Sequence, residues 1–105
     1  MKIYSVYILA SRTKVTYVGV TGNLPRRIAQ HRAGKASRFT ARYGVLSLVH
    51  VEQTPDVLAA IRREKELKGW GRAKKVALVE RTNPEWGDLA PEIGPLPIDP
   101  SLRSG

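Results

Sequence analysis

Five polar side chains stand out for where they fall. Tyr7 and Tyr17 lie in two short β-branched and aromatic runs, where alternation lets them face the same way. Arg27 and His31 are four apart in a helical stretch and so project from neighbouring positions of one face. Glu64 falls on or beside the apolar line of another helical stretch: Val57, Ala60 or Ile61, then Leu67 or Lys68. A guanidinium grips a phosphate through two parallel hydrogen bonds. A carboxylate holds one Mg²⁺, which keeps several waters and takes its other ligands from a substrate phosphate. That cation then stabilises a leaving oxygen as a Lewis acid. A phenol is an unusual general base, with an ordinary pKa of about 10. A cationic pocket without acids favours its phenolate. The chemistry this set suits is metal-assisted phosphodiester hydrolysis. Each residue also has a packing reading. Strand tyrosines are commonly half-buried filler, Arg27 alone is a solvated helix charge, and Glu64 alone pairs with Lys68 at i,i+4.

The charge distribution points the same way. Eighteen Lys and Arg against nine Asp and Glu give a net +9. Residues 1–50 hold nine of the basic residues and no acid, so all the excess lies there. A half with no acids repels nothing polyanionic, which makes nucleic acid the expected partner. Arg12, Lys14, Arg26, Arg32, Lys35, Arg38 and Arg42 are the candidate nucleic-acid contacts. An anionic membrane is the lesser alternative, since no long basic amphipathic helix supports it. The absence of cysteine removes disulfides, thiolate nucleophiles and cysteine zinc sites. Two histidines, His31 and His50, cannot form a multi-histidine metal centre alone. No G-x-G-x-x-G or P-loop spacing occurs. The opening apolar run is too interrupted for a signal peptide and no membrane-length run follows, so the expected location is cytoplasmic.

A chain of 105 residues has room for one core. The runs at 3–10 and 15–20, joined by Ser11-Arg12-Thr13-Lys14, read as a hairpin that brings Tyr7 near Tyr17. Asn23 caps a helix with Pro25 in its first turn, running to about Ala33 and stopping at Gly34. Residues 34–44 read as a basic loop. Residues 45–54 read as a third strand, with Leu46, Leu48 and His50 on one side. Thr54-Pro55-Asp56 starts a helix to about Lys68, with Thr54 as cap. After Gly69-Trp70-Gly71 a last helix spans 72–81, with Ala73, Val76, Ala77 and Val79 or Glu80 inward. Residues 90–105 hold four of the seven prolines and read as a disordered tail.

These residues fall in the order of the GIY-YIG nuclease superfamily, and the chain resembles its small, single-domain bacterial branch. Ser5-Val6-Tyr7 stands where Gly-Ile-Tyr is expected, and Tyr17-Val18-Gly19 where Tyr-Ile-Gly is expected. The run Leu24-Pro25-Arg26-Arg27-Ile28-Ala29-Gln30-His31 is similar to the family's arginine-and-histidine helix. Phe39-Thr40-Ala41-Arg42-Tyr43 resembles a segment of the small branch. Arg63-Glu64-Lys65 resembles the metal-binding helix, and Asn83-Pro84-Glu85-Trp86 the closing asparagine motif. The likeness covers about residues 3–89.

The resemblance implies an α+β domain over 1–89: a three-stranded antiparallel sheet flanked by helices in the order β-β-α-β-α-α. It implies Tyr7 as general base or orienter of the attacking water and Arg27 on the scissile phosphate. Glu64 would hold a single Mg²⁺ or Mn²⁺. Tyr17 and His31 would orient water and phosphate, and Asn83 would brace the site. Family enzymes usually carry a separate substrate-choosing domain, and no second domain is visible in this sequence. Specificity is therefore expected from residues 1–50, from the 34–44 segment or from a protein partner, in a monomer or weak dimer. The expectation is a metal-dependent endonuclease acting on DNA. The alternative is a basic nucleic-acid-binding module without the chemistry.

Overall fold

The computed structural model describes residues 1–95. In chain order the elements are β1 (Tyr4–Ala10), β2 (Thr16–Thr21), α1 (Leu24–Arg32), α2 (Arg38–Tyr43), β3 (Ser47–Thr54), α3 (Val57–Lys68) and α4 (Arg72–Thr82). β1 is central and pairs antiparallel with both neighbours, in the order β2-β1-β3. The α+β architecture is the one expected, with one helix more.

Period-two alternation along β1 builds two cores. Val6, Ile8 and Ala10 join Val18 and Val49 under Ala60 and Leu67 of α3 and Leu78 and Val79 of α4. Tyr7 and Leu9 join Leu48 under Ile28 of α1, Val45 and Ala90. The sheet is therefore covered by helices on both faces. On α4 the inward pair is Leu78 and Val79, while Ala73 and Ala77 are exposed. The expected inner face missed Leu78 because the helix meets the sheet mainly by its C-terminal half.

Local chemistry sets the helix ends. The Asn23 side chain accepts from the Arg26 N–H and starts α1 as expected. The Asp56 carboxylate accepts from the Leu58 and Ala59 N–H groups, so Asp56 is the cap of α3 and Pro55 precedes it. The expected cap, Thr54, instead ends β3 and accepts from the Asp56 N–H. Residues 34–44, expected as a loop, contain α2. Its cap Ser37 accepts from the Phe39 and Thr40 N–H groups, and Gly44 closes it in the left-handed region at φ 62°.

A bulge interrupts β3. Ile8 pairs with His50 while Leu9 pairs with Leu48, leaving Val49 without a cross-strand partner. This extra residue moves His50 off the Leu48 side. His50 Nε2 bonds Glu52 at 2.8 Å, and Glu52 also takes the Arg63 guanidinium from α3.

The segment after α4 folds back over the β3 edge. Leu89 N–H donates to Leu48 O at 2.7 Å, and the Asp88 carboxylate accepts from Leu48 N–H at 3.1 Å. Arg32 holds the segment from below. Its guanidinium pairs with both Asp88 oxygens at 2.9 and 2.8 Å and donates to the carbonyls of Leu46, Ala90 and Ile93. Ala90 is buried and Ile93 packs on the same core. Ordered packing therefore runs past the expected boundary at 89, because Arg32 supplies donors for those carbonyls. The remainder of the expected tail, from 96 onward, lies outside the described residues.

Candidate active site

The hairpin aligns Tyr7 with Gly19 and Leu9 with Tyr17. Tyr7 and Tyr17 therefore meet diagonally, with ring centroids 6.5 Å apart. A side chain at position 19 would overlap the Tyr7 Cζ and Oη atoms, so glycine is what lets the ring lie across β2. Ser5, the departure from glycine in the first motif, is buried and its hydroxyl accepts from Gln53 Nε2 on β3 at 3.3 Å.

From α1, His31 is carried inward between the tyrosines. Its ring stands edge-on to Tyr7 and Tyr17, at centroid distances of 5.8 and 5.2 Å. Tyr7 Oη lies 2.9 Å from His31 Nε2. His31 Nδ1 lies 3.0 Å from Thr40 Oγ1 of α2. Both His31 and Thr40 are fully buried. Burial, helped by the Arg27 charge, pushes the His31 pKa down to about 4, so the imidazole is neutral near pH 7. Arg27, one turn earlier, is half-buried and donates to Gln30 Oε1 at 3.1 Å.

The expectation that this cationic setting favours a Tyr7 phenolate is reversed. Burial raises the Tyr7 pKa above its ordinary value, and the hydrogen bond and charge of Arg27, which lower it, do not offset that. The charges of Tyr17 and Glu64 add to the rise. At neutral pH Tyr7 is a phenol. It therefore needs a proton acceptor, and the only one in hydrogen-bonding contact with its hydroxyl among the described residues is His31.

Glu64 arrives from α3 between the buried Ala60 and Leu67, with its side chain 16% exposed. It pairs with Lys68 at 3.0 Å, and Lys68 Nζ reaches to 6.0 Å from the Tyr17 ring centroid. The i,i+4 pair and the inward placement thus coexist. Among the described residues no three His, Cys, Asp or Glu side chains cluster as a metal cage. A lone, mostly buried carboxylate fits a cation that takes its other ligands from water and a substrate phosphate.

Asn83 does not join this centre. Its amide donates to Val49 O at 3.1 Å and Gly87 O at 2.9 Å, and its oxygen accepts from Gly87 N–H. It satisfies the carbonyl of the residue that the bulge leaves out of register. Its structural work lies in β3 and the turn after α4.

Of the candidate nucleic-acid contacts, Arg12, Arg26, Lys35, Arg38 and Arg42 are exposed. Lys14 is exposed but lies over the Trp86 ring, 5.1 Å from its centroid, on the α4 side. With Arg72 and Lys75 it lines a shallow cleft there. Arg32 leaves the set, because its side chain is 10% exposed and committed to Asp88 and three carbonyls. α2 adds what the loop reading missed. Phe39 and Tyr43 are 41% and 50% exposed, with rings tilted at 50° and centroids 5.0 Å apart; Phe39 lies beside Tyr17, and Arg42 lies over Tyr43. The signal for α2 was the pairing of Ser37 with Gly44, an N-cap and a left-handed stop seven residues apart.

Fold and site together describe a small α+β domain with a tyrosine–histidine pair, an arginine and one carboxylate converging from β1, β2, α1 and α3. A family model for the GIY-YIG catalytic domain matches residues 3–77, and the chain belongs to that family. It is 40% identical over 74 residues to a UPF0213 protein of Natronomonas pharaonis, covering 70% of this chain and 87% of that one. It is 35% identical over 81 residues to a UPF0213 protein of Syntrophus aciditrophicus, covering 76% and 92%. The solution NMR structure of a UPF0213 protein from Bacillus halodurans superposes with a TM-score of 0.54 at 30% identity, covering 90% of this chain and 99% of that one. Among the described residues no helix is long and apolar enough to cross a membrane.

Proposed function

We propose that this protein is a metal-dependent endonuclease that hydrolyses phosphodiester bonds in DNA. The observation that carries the reading is the contact of Tyr7 Oη with His31 Nε2 at 2.9 Å, with His31 neutral and Arg27 one turn earlier on the same helix. Arg27 leaves Gln30 to grip the scissile phosphate through two N–H donors. That movement opens the way to the Tyr7 hydroxyl, on a residue otherwise only 1% exposed. The water oxygen forms a bond to phosphorus as one of its protons passes to Tyr7 Oη, and the Tyr7 proton passes to His31 Nε2. The P–O bond to the leaving group breaks. Tyr17 orients the water and phosphate. Glu64 holds one Mg²⁺ or Mn²⁺, which supplies Lewis-acid stabilisation of the leaving oxygen when bound. The exposed Arg12, Arg26, Lys35, Arg38 and Arg42 take the flanking phosphates.

The test is nicking of supercoiled plasmid and of a branched oligonucleotide in Mg²⁺, Mn²⁺ or EDTA, for wild type, Tyr7→Phe and Glu64→Gln. Metal-dependent cleavage lost in both variants supports the reading. Cleavage unchanged by Glu64→Gln would overturn it. One observation favours a second reading, a nucleic-acid-binding module: Tyr7 is fully buried. Salt-sensitive binding that survives EDTA, with no scission in either metal, would select that module.

A further inference from the structure

The hydrogen-bond chain that begins at Tyr7 continues past His31. His31 Nδ1 lies 3.0 Å from Thr40 Oγ1, and the Thr40 hydroxyl donates to the Ser37 carbonyl at 3.2 Å. A threonine hydroxyl has one proton. With that proton committed to Ser37, the oxygen can only accept from His31. In that arrangement Nδ1 would carry the imidazole proton, and Nε2 would present a lone pair to the Tyr7 O–H. His31 and Thr40 are fully buried, and among the described residues no buried side-chain polar atom lacks a partner. The chain thus ends on the Ser37 carbonyl, within the protein.

We propose that Thr40 is a positioning residue that holds His31 in its Nδ1–H tautomer, so that Nε2 faces Tyr7 as a proton acceptor. The proposal rests on the reading of Tyr7 as the base. In the other tautomer Nε2–H would donate to the Tyr7 oxygen, and the phenol proton would have nowhere to go. The placement of Thr40 is itself local. Ser37 caps α2 with its side chain, while its carbonyl takes the Thr40 hydroxyl and the Ala41 N–H. A six-residue helix in a segment that reads as loop is what delivers this hydroxyl to the histidine. The titratable and charged groups around the ring are Tyr7 from β1, Tyr17 from β2 and Arg27 from α1. None of them offers Nδ1 an acceptor, which leaves that task to Thr40.

The experiment is ¹⁵N NMR of the histidine rings, with His31 assigned through a His31→Gln variant, in wild type, Thr40→Val and Thr40→Ser. Wild type is expected to show a protonated Nδ1 and an acceptor Nε2 at His31. Thr40→Val should lose that preference and lower kcat about 100-fold, the lower end of what acid–base positioning contributes, with KM little changed. Thr40→Ser should restore both, which a purely packing role would not require. A wild-type Nε2–H tautomer, or a tautomer unmoved by Thr40→Val, overturns the proposal even if Tyr7→Phe abolishes cleavage. If wild type cleaves nothing, the nuclease reading has failed. The ring shifts still decide whether Thr40 sets the tautomer.

Discussion

Tyr7 and Gly19 are cross-strand partners, and the Tyr7 ring occupies the space a side chain at position 19 would need. The close approach explains the glycine without any appeal to an unusual backbone angle. Gly19→Ala must therefore displace the ring or part the strands. The expected destabilisation is about 1–3 kcal/mol, the range for overpacking a closed interior. Urea denaturation measures it. Because the displaced atom is the Tyr7 hydroxyl, the same variant should also lose cleavage. A Gly19→Ala protein with unchanged stability and activity would mean that β2 shifts freely beneath the ring.

How far this site was legible follows from which contacts are local. Strand alternation put Tyr7, Leu9 and Tyr17 on one face, and the hairpin followed from two apolar runs and a polar link. Asn23 announced α1. α2 stayed hidden because six residues carry too little periodicity, although Ser37 and Gly44 frame it. The bulge at Val49 could not be read, since an inserted residue leaves no mark on composition yet moves His50 off the Leu48 side. Arg32 looked like its basic neighbours. Only the return of Asp88, Ala90 and Ile93 from far along the chain reveals its work. The Tyr7 phenol misled for a related reason: charge is visible in a sequence, whereas the burial that outweighs it is not.

Glu64→Gln separates the chemistry from the scaffold. The Glu64–Lys68 pair is an i,i+4 contact whose lysine is 51% exposed, so its loss should change stability by less than about 1 kcal/mol. Thermal unfolding should be near wild type while Mg²⁺- and Mn²⁺-dependent nicking disappears. A large drop in stability instead would place Glu64 in the packing of α3 against the sheet.

The depressed His31 pKa makes two pH predictions of the same sign. An unfolded histidine titrates near 6.5, whereas the folded one titrates near 4. Between those values the unfolded chain binds a proton that the folded protein refuses. This contribution to stability is complete above about pH 6.5 and is lost as pH falls toward 4, by up to about 3 kcal/mol. Urea midpoints measured from pH 7 to 4 should show the slope, and His31→Gln should flatten it. Activity should follow the folded value. The acidic limb of kcat/KM is expected well below 6.5, because His31 remains a neutral acceptor for Tyr7 through that range. A limb centred near 6.5 would mean that His31 is solvated when the reaction occurs.

Arg32 and Arg42 are both arginines of the acid-free half, yet they should fail in opposite ways when replaced by alanine. Arg32→Ala strips Asp88 of its partner and leaves the Leu46, Ala90 and Ile93 carbonyls without their donor. With Asp88 28% exposed, the penalty falls below that of a fully buried pair, at about 2–3 kcal/mol. Its effect on the salt dependence of nucleic-acid binding should be nil once folding is controlled, because its guanidinium is committed to Asp88 and the three carbonyls and its side chain is only 10% exposed. Arg42 is exposed on α2 over the Tyr43 ring, so Arg42→Ala should be nearly neutral for stability. It should instead reduce the slope of log K against log salt on duplex DNA by about 0.9, the amount for one phosphate contact. Fluorescence anisotropy across a salt series, read beside thermal unfolding of the same two variants, distinguishes them. A reduced salt slope for Arg32→Ala would show that the segment from Asp88 to Ile93 detaches on binding and releases its arginine to the nucleic acid.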